Sequence, residues 1–400
     1  MTASLITDDW RVSGAVYRDP ALFETEIEEI FGRCWLYVAH ETELPGGGDF
    51  KLARLGRQPV IVVRGADDGV IRVVFNRCRH RAAAVCQEEA GTTSTFRCAY
   101  HGWAYRTDGG LVNATLAEAY GPDFDKGAMG LVPVPRVATY RGFVFASLDP
   151  AAHELDAYLG NARRYLDYVA DLGVELTARA QKIVYRGNWK LQIENTIDAY
   201  HFAFTHKSWL DVLKRRAGGE SNAFLENAIS NPTWRTLDLR GGHAAAEMGP
   251  LGSPTDDRPD MGLGDLVPFN LVVFPSLGFV GSHLRLICPV GVDETEVQLF
   301  PMLPVGADEA GRSEVLRAHE AFYGPSGAGS ADDVEVGFDR VTDGLRATAT
   351  PEDWLLLSRG LDREEEDPAT GIRVGRPADE VPQRAFYRRW LELVQADVRA

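Results

Sequence analysis

Cysteine is scarce in this chain: five in 400 residues, at Cys34, Cys78, Cys86, Cys98 and Cys288. So few and so scattered, they exclude a disulfide framework and point to a reducing compartment where thiolates are free to hold metal. Positive charge is also in short supply. Lys and Arg total 42 against 58 Asp and Glu, a net charge of −16, which argues against nucleic acid or an anionic membrane as partner. No apolar run approaches the roughly 18 residues of a membrane span. Met1 to Arg11 lack a basic start followed by an apolar stretch and carry Asp8 and Asp9, so a cytoplasmic chain without a signal peptide is expected. No G-x-G-x-x-G follows a strand, which leaves no flavin or nicotinamide domain. No internal repeat or long low-complexity tract occurs.

The rest is ordinary globular material, 45% hydrophobic and 25% charged, and long enough for two cores. Asp19-Pro20 opens a helical segment whose apolar face is Leu22, Ile27, Ile30 and Phe31. From Trp35 to about Pro150 the texture is β: Val60-Ile61-Val62-Val63, Val70-Ile71-Arg72-Val73-Val74-Phe75 and Gly142-Phe143-Val144-Phe145 are strand-like runs between glycine-rich turns. Beyond Pro150, helices are expected at 153–172, across 188–210, and at 313–323, 331–341, 351–359 and 380–397. Strands are expected around 183–185 and through 271–300, and loops at 240–266 and 324–333. The reading is an α+β chain in three parts. An N-terminal helical segment, 1–34, packs on the catalytic domain; an all-β domain spans 35–150; an antiparallel sheet covered by helices spans 151–400.

Chemistry concentrates in two places. The first is Cys78-Arg79-His80 and Cys98-Ala99-Tyr100-His101, inside the β domain. Zinc is the competing occupant, since it also accepts two Cys and two His. Zinc fingers, however, pair Cys with Cys and His with His, whereas each segment here supplies one of each. That alternation suits a two-iron cluster with thiolates at one end and imidazoles at the other. The second place is Asn188-Trp189-Lys190-Leu191-Gln192-Ile193-Glu194-Asn195-Thr196-Ile197-Asp198-Ala199-Tyr200-His201-Phe202-Ala203-Phe204-Thr205-His206. Ionisable groups among so many apolar ones need partners, either hydrogen bonds in a core or a metal. On a continuous helix His201 and His206 would point about 140° apart. Both reach one metal only if the helix ends or widens between them.

The run Asn76-Arg77-Cys78-Arg79-His80-Arg81 with Cys98-Ala99-Tyr100-His101-Gly102-Trp103, and the string N-W-K-x-x-x-E-N-x-x-D-x-Y-H-x-x-x-x-H, resemble the large subunits of Rieske non-haem iron ring-hydroxylating oxygenases. The spacing is closest to the benzoate and cumate type. Ala82, where the family usually has Gly, and Ala99, where Pro or Ser is commoner, depart from the pattern without being ligands. Cys86 reads as a small buried hydrophobe.

The resemblance implies a [2Fe–2S] cluster on Cys78, His80, Cys98 and His101, and a mononuclear Fe(II) on His201, His206 and a downstream carboxylate. Asp353, the second of two acidic residues before Trp354-Leu355-Leu356-Leu357, is the candidate, with Glu352, Asp343 and Asp362 as rivals. Asp198 is left spare. It is expected to support His201 and to serve catalytically as the electron bridge from His101 of a neighbouring subunit. Asn195, Phe202, Phe274 and Arg285 are candidate pocket residues, Arg285 as partner for a substrate carboxylate. Phe204, Leu271 and Leu284 are further candidate walls, although core packing suits most of these apolar residues better. His40, His243 and His283 read as structural. The implied partners are a separate reductase or ferredoxin fed by NAD(P)H, O2, an aromatic substrate, and further subunits in a homotrimer or an α3β3 assembly. The implied reaction is dihydroxylation or hydroxylation of an aromatic ring. A Rieske monooxygenase or O-demethylase is the nearest alternative, and a Rieske electron carrier a more distant one.

Overall fold

A run of four β-branched residues with no polar alternation should be a strand covered on both faces. Val60, Ile61, Val62 and Val63 are each 0% exposed, at the centre of the four-stranded antiparallel sheet Ile71–Phe75, Gln58–Arg64, Asp49–Leu55, Ala90–Thr92. The computed structural model describes residues 5–177, 179–198, 200–216, 231–249, 251, 266–348 and 353–396. It divides into two compact units, one of Phe31–Leu155 with Glu175–Arg179, the other of Met1–Ile30, Asp156–Val174 and Ala180–Ala400.

The smaller unit adds two three-stranded antiparallel sheets to the first. They are Thr95–Arg97, Ala104–Arg106, Leu111–Asn113 and Arg136–Tyr140, Phe143–Ser147, Leu36–His40. Its core packs Phe50, Ile61, Val74, Phe96 and Trp103 against Cys78 and Cys98, so both thiols of the first motif are apolar-core atoms.

The larger unit is built on a nine-stranded antiparallel sheet. Its order is Gln181–Arg186, Glu294–Pro301, His283–Gly291, Leu277–Val280, Phe269–Val273, His243–Glu247, Arg235–Arg240, Arg373–Gly375, Glu365–Glu366. Helix Trp189–Thr196 lies on its centre and helix Val381–Ala396 on strands Arg235–Arg240 and His243–Glu247. Asn188 starts the first of these, its side chain accepting from the Lys190 N–H at 3.1 Å. The opening helix Pro20–Glu26, capped by Asp19, contributes Glu26 to a fully buried knot. Lys190 Nζ is 2.5 Å from Glu26 Oε1, and the indole N–H groups of Trp189 and Trp390 each donate to Glu26 at 2.7 Å. Three elements distant in sequence are thereby tied together.

The α+β class and the helix-covered antiparallel sheet are as expected, but several elements differ. The stretch 188–210 is not one helix: Trp189–Thr196 ends, and Phe202–Thr205 and Lys207–Arg216 follow. His243–Glu247 is a strand and Ala328–Asp332 a helix where loops were expected, while residues 252–265 lie outside the described residues. No helix forms at 353–359. Trp354–Leu356 is a strand paired with Arg11–Ser13, and the Gly14 N–H donates to the Asp353 carbonyl at 3.0 Å. Pairing with the N-terminal strand overrides the helix-start signal of an acidic pair. Among the described residues no helix is long and apolar enough to cross a membrane.

Candidate metal centres

The two cysteine-histidine loops have the same backbone construction. In the first, the Cys78 N–H donates to the Ala83 carbonyl and the Ala82 N–H to the Cys78 carbonyl; in the second, Cys98 donates to Trp103 and Gly102 to Cys98. Each loop turns on a left-handed residue at the same place, Gly102 at φ 73° and Ala82 at φ 61°. Ala82 therefore carries strain that glycine would not. The construction brings the His80 and His101 rings to 4.5 Å between centroids, half-exposed at the rim, above the two buried thiols. Trp103 stacks on His80 at 5.3 Å and 7°. The Tyr105 hydroxyl accepts from the Arg79 N–H at 3.0 Å, which directs its own proton to Cys78 Sγ at 3.1 Å. Buried His80 Nδ1 has no hydrogen-bond partner. Two sealed, unbridged thiols and a bare imidazole nitrogen fit a thiolate- and imidazole-ligated cluster.

In the larger unit, the break after Thr196 solves the angular problem. Asp198 Oδ1 accepts from the backbone N–H groups of Tyr200 (2.9 Å) and His201 (3.1 Å), so Asp198 caps the restart of the chain. His201 then sits at the start of helix Phe202–Thr205 and His206 at its end. Their ligand nitrogens meet a carboxylate that sequence reasoning missed, Asp333. His201, His206 and Asp333 each place one ligand atom within 4.8 Å of the others, with Asp333 Oδ1 3.6 Å from His201 Nε2 and 3.3 Å from His206 Nε2.

Asp333 begins the π-helical stretch Asp333–Asp339, in which the wider turn reorients side chains. Each histidine also has a carboxylate behind its other nitrogen: Asp198 Oδ1 is 3.6 Å from His201 Nδ1 and Asp332 Oδ2 is 3.5 Å from His206 Nδ1. Burial lowers the pKa of His201, but the hydrogen bond and charge of Asp198 and the charge of Asp333 outweigh it and raise the pKa overall. For Asp333 burial pulls upward, and hydrogen bonding from His206 with the charges of His201, His206 and Arg285 turns the net shift downward. Two imidazoles and a carboxylate converging on one point fit a facial iron site.

Asp353 is not part of this group. Its carboxylate is forked by the Arg18 guanidinium at the edge of the N-terminal strand pair. Asp343 is bound by Arg186 and Arg346, Asp362 is 84% exposed beside Arg363, and Glu352 lies outside the described residues. The acidic-pair rule that selected Asp353 applies equally to Asp332-Asp333, which was the available signal.

A cavity of about 760 Å3, part of it open to solvent, lies over the three ligand candidates. Asn195, Phe202 and Arg285 line it, as do Asp198, Asn270 and Tyr323. Phe274 does not. It is fully buried, its ring 5.4 Å from that of Phe386, and its carbonyl accepts from Tyr158. Leu271 and Leu284 are core residues, and Phe204 is 72% exposed.

Residues 34–138 match the Rieske [2Fe-2S] domain, and residues 155–396 match the ring hydroxylating alpha subunit (catalytic domain). The chain belongs to the ring-hydroxylating oxygenase alpha subunits. It is 33% identical to the anthranilate 1,2-dioxygenase large subunit of Acinetobacter baylyi, covering 88% of this chain and 80% of that one. It is also 33% identical to the chlorobenzene dioxygenase alpha subunit of a Cupriavidus species, covering 96% and 91%. The crystal structure of naphthalene 1,2-dioxygenase from Rhodococcus sp. with indole superposes with a TM-score of 0.85 at 30% identity, over 98% of this chain and 96% of that one. This alpha subunit is the terminal oxygenase component of its system, with a Rieske [2Fe–2S] cluster and a mononuclear iron as cofactors.

Proposed function

We propose that the chain dihydroxylates a monocyclic aromatic compound, with Cys78, His80, Cys98 and His101 holding the cluster and His201, His206 and Asp333 the iron. The convergence of His201, His206 and Asp333 beneath an open cavity carries this reading. The cluster supplies electrons singly, and the iron supplies the site of O2 activation. The balanced reaction takes up one O2, two electrons and two protons per arene and yields a cis-dihydrodiol.

The chain's own residues set the stage for that chemistry. Asp198 and Asp332 orient the two imidazoles from behind. Phe202 and Tyr323 give the ring an apolar and aromatic wall, and Asn195 faces the site with its amide nitrogen 3.3 Å from His201 Nε2. Electrons come from a separate reductase or ferredoxin. The working assembly is a trimer, with or without a small β subunit, in the cytoplasm. A second oxygen of Asp198, free among the described residues, receives the neighbouring subunit's cluster histidine.

Asp333→Ala separates this assignment from its rival. Iron content should fall from three per chain towards two, and turnover should vanish, while the cluster's visible absorption and reduced-state EPR signal persist. Asp353→Ala should keep all three irons. The reverse pattern would move the site to the Arg18 pair. A product carrying both atoms of labelled O2 distinguishes dioxygenation from monooxygenation or demethylation.

A further inference from the structure

Two buried histidines of the larger unit lie outside the iron site yet connect it to the surface. His283, on strand His283–Gly291, and His319, on helix Glu309–Phe322, are both 0% exposed. Their rings are 5.1 Å apart at 66°, and Nδ1 of each is buried without a hydrogen-bond partner. Two bare imidazole nitrogens in an interior are costly unless they answer each other.

Their neighbours fix which nitrogen carries the proton. Arg285 Nε can only donate, and it reaches His283 Nε2 at 3.2 Å, so that nitrogen accepts. Burial and the adjacent Arg285 charge hold the His283 pKa well below its usual value. His283 is therefore neutral, with its one proton on Nδ1. On the far side, the Gln181 amide nitrogen donates to the exposed Glu320 at 3.2 Å, which turns the amide oxygen to His319 Nε2 at 3.0 Å. That nitrogen must donate. Burial, with the Arg285 charge, lowers the His319 pKa to about 4, so its Nδ1 is a lone pair. The two bare nitrogens are a matched donor and acceptor.

Every member of this chain donates outward, from Arg285 through His283, His319 and Gln181 to Glu320. Aligned hydrogen bonds polarise one another, here with the positive end inside. That end is the Arg285 guanidinium, 8% exposed and the single Lys or Arg lining the oxygenase cavity among the described residues. Its Nη1 makes only long contacts, 3.4 Å to Thr196 Oγ1 and 3.5 Å to Asn195 Oδ1, and no carboxylate among those residues pairs with it. Arg384, buried for structure, donates instead to Glu364 and to the carbonyls of Leu357 and Arg359, all at 2.9 Å. The placement of Arg285 is built: a Cβ on Gly278, its cross-strand partner, would lie 2.8 Å from Arg285 Cγ. Asn195 is 3.3 Å from His201 Nε2, so the guanidinium stands one amide away from a proposed iron ligand. The charges of Arg285 and Asp333 also act on each other.

We propose that Arg285 stabilises the negative charge that dioxygen takes on when it is reduced over His201, His206 and Asp333, and that His283, His319 and Gln181 are positioning residues that hold the guanidinium to that task. The proposal rests on the oxygenase reading above. Asp198, Asp332 and Asp333 bring three negative charges to the site, and a ferrous ion with Arg285 brings three positive ones. Each electron delivered to dioxygen then adds a negative charge to a balanced site, and the open guanidinium donors are what it meets. Arg285 gives hydrogen bonds and keeps its own proton, while the two protons of the overall reaction are drawn from water. Donors already oriented in a site screened from water stabilise such a charge more than water does. The chain to Glu320 supplies that orientation.

The test uses azide, a small linear anion, on the cluster- and iron-loaded enzyme in its oxidised state, followed by the EPR signal of the mononuclear ferric ion. Neutral imidazole, a ligand for the same ion, is the control. Arg285→Gln should weaken azide binding roughly tenfold or more, the worth of a charge-assisted hydrogen bond, and leave imidazole binding nearly unchanged. Arg285→Lys, a charge without the fixed fork, should lose less, and it gives the same reading at smaller amplitude if Arg285→Gln fails to load iron. Wild-type cluster absorption and iron content establish that each variant is folded. His283→Leu should also weaken azide binding selectively, and His283→Gln, which restores an acceptor for Arg285 and a donor for His319, should recover it. Azide binding unchanged in the Arg285 variants, or azide and imidazole weakened alike, overturns the role of Arg285. A His283→Gln variant no better than His283→Leu overturns the positioning chain. Incorporation of labelled O2 into product is scored separately: azide binding that depends on Arg285 in a protein that oxygenates no arene counts against the oxygenase reading alone.

Discussion

At the scale of single residues, the two metal sites differ in how openly the sequence declares them. Cys78, His80, Cys98 and His101 fall within two short loops, so local spacing encloses the whole set. Asp333 joins His201 and His206 only through the packing of helix Phe202–Thr205 against the stretch Asp333–Asp339, and nothing in local spacing encodes that. A helix-start argument therefore favoured Asp353, which Arg18 binds instead. Tyr105 was also missed, because a phenol in a strand reads as core. Its proton is directed to Cys78 Sγ, and a hydrogen bond to a thiolate favours the more negative, reduced cluster. Tyr105→Phe should therefore lower the midpoint potential. Loss of about 1 kcal/mol of differential stabilisation corresponds to about 40 mV for one electron. Redox titration followed by EPR reads this directly, and an unchanged potential would show that the phenol serves packing alone.

At the scale of elements, the motif N-W-K-x-x-x-E-N was legible as important but not as a tether. Its Trp189 and Lys190 turn away from the iron site and meet Glu26 from the opening helix and Trp390 from the C-terminal helix. Glu194 does likewise, accepting from the Tyr17 and Tyr387 hydroxyls at 2.6 Å each. Burial raises the Glu194 pKa, which the two hydroxyls and Lys190 only partly oppose. The helix that leads to Asp198 and His201 is thus held from behind by both ends of the chain. The strand runs from 271 to 300 were readable because their apolar spacing is local, whereas the break at 197–201 depends on Asp198 capping the restart. Lys190→Met leaves Glu26 a buried carboxylate without its cation, at a cost of about 3–5 kcal/mol. Urea unfolding monitored by tryptophan fluorescence should show that loss. The double variant Lys190→Met with Glu26→Gln should recover part of it, since no bare charge remains.

At the scale of the whole molecule, protonation and assembly bear on all the elements at once. His243 and His319, both in the larger unit, have pKa values lowered to about 4 by burial, against an ordinary 6.5. Below pH 6.5 the unfolded chain takes up protons that the folded unit refuses. Their contribution to stability is therefore complete above about 6.5 and is lost as pH falls towards 4, with a slope of up to about 2.7 kcal/mol per pH unit. His201, whose pKa is raised, acts in the opposite sense in metal-free protein, so the measurement belongs on the iron-loaded form. Urea midpoints at pH 7.5, 6 and 5 should fall in that order, and a flat series would mean that these histidines are protonated in the folded state.

Assembly makes the sharper demand, because a cluster and an iron on one chain are useful only if electrons pass between them. Asp198 is suited to carry that link between chains. One oxygen is committed to the His201 and Tyr200 N–H groups, the other is uncommitted among the described residues, and the side chain is 20% exposed. An oxygen that is free at the edge of the iron site is free to accept from an imidazole N–H of a neighbouring subunit. Asp198→Asn keeps the shape and the backbone cap while removing the charge and one acceptor. It should retain the cluster spectrum and all three irons. Cluster oxidation, followed by stopped-flow absorbance after pre-reduced enzyme meets substrate and O2, should slow by at least about tenfold, the worth of one charge-assisted hydrogen bond in the transfer path. Wild-type kinetics in that variant, or full activity in a species that sedimentation shows to be a monomer, would remove Asp198 from the electron path and leave it the single task of holding His201 in place.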